Sequence, residues 1–95
     1  MNKIEKISNL IGTARSLIGK ERELAKDSSA GDVRINQIKI IESRLDEISR
    51  NLNSNALPQQ ALRKSGVPRM IVDSWPWDSE LANLTLEIEK IYMSF

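Results

Sequence analysis

Apolar residues recur along this chain at alternating steps of three and four, the spacing that lines one face of an α-helix. In the first segment Ile4, Ile7, Ile11, Ala14, Ile18 and Ala25 keep that rhythm with one gap at Glu21, and Leu10, Leu17 and Leu24 stand one position before it. Together they form an apolar face broad enough to cover two neighbours at once. Asn2 is suited to cap the start, and the run Asp27-Ser28-Ser29-Ala30-Gly31 to stop it. The spacing predicts a helix over about residues 3–27, roughly 37 Å long at the α-helical rise. A second stripe, Ile38, Ile41, Leu45, Ile48 and Leu52, follows Gly31 and Asp32 and gives way to Asn51, Asn53, Ser54 and Asn55. Asp32 favours the positive end of that helix, and the short connection folds the pair into an antiparallel hairpin.

Between residues 53 and 72 the rhythm breaks at Pro58, Gly66 and Pro68. Pro58 is tolerated in a first helical turn and Gly66 just beyond a last one, so a short helix is predicted at about 57–64. Residues 67–72 are predicted to be extended, because a residue before proline avoids the helical region and Ile71 and Val72 favour extension. The stripe resumes as Trp77, Leu81, Leu84, Ile88, Ile91 and Phe95, which predicts a last helix over about 77–94 opened by Pro76 or Asp78. No stretch alternates with period two for long enough to form a strand. The expected fold is therefore all-α: a small antiparallel helical bundle of three long helices plus one short helix in the 53–72 connector.

Composition narrows the chemistry more than the fold. The 95 residues suit one domain spanning 1–95, with 40% hydrophobic and 28% charged side chains in a globular balance. No apolar run approaches the ~20 residues that cross a bilayer. The chain contains neither Cys nor His, which excludes thiol nucleophiles, disulfides, imidazole bases and the usual zinc sites. Carboxylates at helical spacing, Glu42 with Asp46 and Glu80 with Glu87, fall off the apolar stripes and read as a solvated face. Gly12 and Gly19 lie inside a helical pattern with no strand before them, so no phosphate loop is present. Neither catalysis nor a cofactor is expected.

The net charge is +1, but its distribution is uneven: residues 56–72 carry +3 and residues 73–95 carry −4. Arg63, Lys64 and Arg69 form a basic connector suited to steering an acidic partner. Read the other way, they would touch phosphates in a nucleic-acid-binding regulator. That alternative places the acidic segment with Glu80, Glu87 and Glu89 against a polyanion, and the repulsion argues against it. The N-terminal residues lack the apolar core and cleavage pattern of a secretory signal, which makes a cytoplasmic location the expectation.

Two features point to surfaces. On a helical wheel Ser8, Gly12, Ser16 and Gly19 share the side away from the Ile/Leu face, making a strip of small side chains on which a partner or a second copy could lie. In the last helix Ala82, Leu86 and Met93 fall off the main stripe, joined by Trp75 if the helix begins early. A helix with two apolar faces is either sandwiched or keeps one for a partner. Trp77, in register with the stripe, is expected in the core, with Tyr92 and Phe95 closing its end. The function expected on these grounds is a non-enzymatic protein-binding module of the inhibitor, immunity, antitoxin, adaptor or chaperone type, acting by occupying a partner's surface. Trp75, Ala82, Leu86, Met93, Gly12 and Gly19 are its candidate contacts. A homodimer, or a structural helical homo-oligomer, is the further alternative.

Overall fold

A computed structural model describes residues 2–26, 31–54, 65–76 and 79–95, and every regular element among them is a helix. In chain order these are α1 (Lys3–Lys26), α2 (Gly31–Asn53), α3 (Val67–Ser74) and α4 (Glu80–Met93). Asn2 caps α1 as its sequence position suggests, its side-chain oxygen accepting from the Glu5 amide at 2.8 Å. α4 is opened by Ser79, whose hydroxyl accepts from the Ala82 amide at 3.2 Å.

The connector departs from expectation. Residues 67–74 are helical, not extended. Pro68 occupies the first turn, where its missing N–H breaks no bond, and the Ser65 hydroxyl accepts from the Val67 amide at 3.3 Å. Val67, Ile71 and Trp75, spaced by four, are all buried, so one apolar stripe outweighs the local preference for extension. The expected helix at 57–64 and the core placement of Trp77 concern positions outside the described residues. The last helix begins at Glu80, three residues later than predicted, because Ser79 supplies the cap.

Cross-helix contacts fix the directions. Arg15 meets Asp46 at 3.0 Å and Arg22 meets Glu42 at 3.4 Å, so α1 and α2 run antiparallel. Arg44 pairs with Glu89 and Asn51 with Tyr92, so α2 and α4 run parallel. α1 packs against both α2 and α4, while α3 lies against α4 and α2. At the far end Lys3 donates to the Ser94 carbonyl at 2.9 Å and stands over the Phe95 ring. The exposed ion pairs report geometry more than stability, each being worth about 0–1 kcal/mol.

The core contains the complete α2 stripe, Ile38, Ile41, Leu45, Ile48 and Leu52, and most of the α1 stripe. It adds Leu81, Ala82, Ile88, Ile91 and Tyr92 from α4. Ile4 departs from the expected stripe and is 48% exposed, since it lies in the first turn of α1. Leu24 is 69% exposed on the same helix.

Gly31 opens α2 where a side-chain carbon would collide with the Ala25 carbonyl, so the turn back from α1 depends on a glycine there. Gly12 and Gly19 differ: among the described residues nothing lies within 4 Å of the position a Cβ would take. Gly12→Ala and Gly19→Ala are each expected to raise stability by about 1 kcal/mol, the helix-propensity gain, and thermal denaturation of the two variants checks this.

Candidate functional site

The structure places the surface residues of α4 beside α3. Leu86 and Met93 are half-buried and line an open recess of about 340 Å³ with Ser65, Pro68, Glu89 and Lys90. Leu86 also lines a second recess of about 170 Å³, whose other walls are Ile71, Val72, Trp75, Pro76, Ala82 and Asn83. The two recesses are mainly apolar and adjoin at Leu86; together they are called the α3–α4 groove. Val72, which the sequence reading assigned to an extended segment, becomes its most exposed apolar wall at 71%.

Not every expected contact residue reaches this surface. Trp75 is 7% exposed and Ala82 2%, so both belong to the wall and floor and offer a partner little area. Trp75 is enclosed because it continues the buried stripe of α3; Ala82 is enclosed because α4 packs against more than one helix. Gly12 and Gly19 are exposed on α1, together with Ser8 and Ser16, and line neither recess. Of the basic connector, Arg63 and Lys64 lie outside the described residues. Arg69 projects into solvent and faces Asp73 at 3.6 Å.

Beneath the groove lies a polar network that sequence periodicity did not reveal. Arg44 of α2 donates to both carboxylate oxygens of Glu89 on α4, the Nη2–Oε2 bond measuring 3.1 Å, and donates also to Glu47. Both side chains of the Arg44–Glu89 pair are about 95% buried. The Ser65 hydroxyl reaches Glu89 at 3.3 Å, and the Tyr92 ring lies 5.2 Å from the Arg44 guanidinium. Burial alone would lower the Arg44 pKa; the hydrogen bonds and charges of Glu89 and Glu47 outweigh it and carry the group above its ordinary value. Arg44 therefore stays charged. Tyr92, fully enclosed, accepts from the Asn51 amide at 2.8 Å through its hydroxyl. The available signals were positional: Arg44 adjoins Leu45 three steps after Ile41, and Glu89 adjoins Ile88 four steps after Thr85.

A second polar contact pins the other end of α3. Arg34 of α2 stacks on the Trp75 indole, its guanidinium carbon 4.0 Å from the ring centroid, and donates to the Ser74 carbonyl at 3.3 Å.

Among the described residues no group of three or more acidic side chains is arranged to hold a metal ion, and no helix is long and apolar enough to cross a membrane. Comparison with protein-family models, curated proteins and solved structures finds no match to this chain.

Proposed function

We propose that this chain is a protein-binding module built on an antiparallel helical bundle, which acts by occupying a partner's surface through the α3–α4 groove rather than by chemistry. The observation that carries the reading is the groove itself. Leu86 and Met93 line one recess with Pro68, Ser65 and Lys90, and Leu86 and Val72 line the adjoining one, so apolar side chains are offered along the α3–α4 seam. Exposed apolar surface of this kind is retained where a partner covers it. The buried Arg44–Glu89 pair supports the reading indirectly, because it holds α4 against α2 and so keeps the lower wall of the groove rigid.

The test is paired affinity capture from the native source with the wild-type chain, Leu86→Asp and Met93→Asp, with helix content followed by circular dichroism. Both positions are only partly buried, so the variants are expected to stay helical. A protein held by the wild type at low and high salt should be reduced at least about tenfold by either aspartate, since the new charge must be desolvated in an apolar contact. Unchanged capture by folded variants would show that this face is not the one used.

A further inference from the structure

Arg34 and Trp75 bring together two buried donors that find no acceptor among the described residues. Arg34 spends Nη2 on the Ser74 carbonyl, while Arg34 Nη1 and the indole Nε1 of Trp75 are buried and unpaired. The Arg34 guanidinium carbon lies 4.0 Å from the centroid of the Trp75 ring, so the two donors belong to one corner of the fold. No ion pair among the described residues neutralises Arg34. Buried N–H groups are ordinarily satisfied, and an unneutralised guanidinium above an aromatic face is a strong, directional donor for an anion.

We propose that the Arg34–Trp75 corner is a carboxylate-binding site, with Arg34 Nη1 and Trp75 Nε1 as its donors. Two donors and one positive charge match a monoanion; a phosphate dianion would bring charge that this corner does not balance. The apolar recess that shares the Trp75 ring gives the site a dry neighbour, which strengthens a charge-assisted hydrogen bond. The carboxylate can belong to a small free acid or to an acidic side chain of a bound protein. The site does not depend on the groove receiving a partner.

The experiment follows the Trp75 Nε1–H resonance of ¹⁵N-labelled protein, assigned with Trp77→Phe, during titration with sodium acetate. A second titration uses glutamate blocked at both backbone ends, and sodium chloride at equal ionic strength is the control. The resonance is expected to move saturably with acetate and to ignore chloride. A response to acetate alone would assign the site to small free acids, and a response to both carboxylates would extend it to protein side chains. Arg34→Met keeps an apolar cover on the indole but removes the cation, and should cut the acetate response at least about fivefold. No movement with either carboxylate, an equal response to chloride, or an undiminished response in Arg34→Met would overturn the proposal.

Discussion

Arg44→Met is expected to destabilise the protein by about 3–5 kcal/mol, because it removes the cation from a carboxylate that stays buried. Glu89 is 4% exposed, and the Ser65 hydroxyl at 3.3 Å cannot replace the charge of the lost guanidinium. Such a loss is comparable with much of the stability of a small domain. Urea denaturation measures it directly. The double variant Arg44→Met with Glu89→Leu should recover most of the loss, since replacing both partners by apolar groups removes the unpaired charge; Glu47, half exposed, is left to water. A single-variant loss under about 1 kcal/mol would mean that the pair is solvated in solution. The effect cannot be imitated by raising pH. The Arg44 pKa is raised on folding, so its contribution is complete below the unfolded-state value and is lost only as pH rises through the higher folded value, beyond any ordinary working pH.

Ile88→Ala should cost about 2–5 kcal/mol, through lost burial plus the cavity left behind. Ile88 is fully enclosed in α4, the helix that α1 and α3 both contact. For a domain of this size that loss lowers the melting temperature by on the order of 10–30 °C. Leu24→Ala, at a position 69% exposed, provides the comparison and should stay within about 0.5 kcal/mol of the wild type. Thermal melts followed by circular dichroism separate the two variants. Equal effects would mean that Leu24 is covered in solution.

The long helices were legible because their burial is one-sided and periodic. Every member of the Ile38 to Leu52 stripe is buried, and the Asn2 cap is where a side-chain acceptor before an apolar run is expected. α3 is hidden from a local reading because proline bias dominates a short window: Val67, Ile71 and Trp75 spell a helical stripe only across Pro68 to the tryptophan. The candidate surface was legible in part. Leu86 and Met93 stand at the edge of a buried arc on α4 that is wider than the main stripe, since it also takes in Ala82, Thr85, Glu89 and Tyr92. Periodicity counts apolar letters, so it left Thr85 and Glu89 on a polar side. Thr85 is enclosed by donating to the Leu81 carbonyl at 2.8 Å, and Glu89 by its partnership with Arg44. Which acid meets which arginine depends on how two helices distant in sequence are set side by side, information that no local spacing contains. The same holds for Arg34, whose role exists only because α3 ends beneath it.

The contact of Lys3 with the Ser94 carbonyl and the Phe95 ring brings residues from opposite ends of the described chain to one pole. The first turn of α1 and the end of α4 therefore lie side by side. A short peptide joining the two ends would span little distance, leave the interior undisturbed and restrict the denatured chain. The same geometry means that a fusion partner attached at either end would crowd the same pole, beside Met93 and the mouth of the groove.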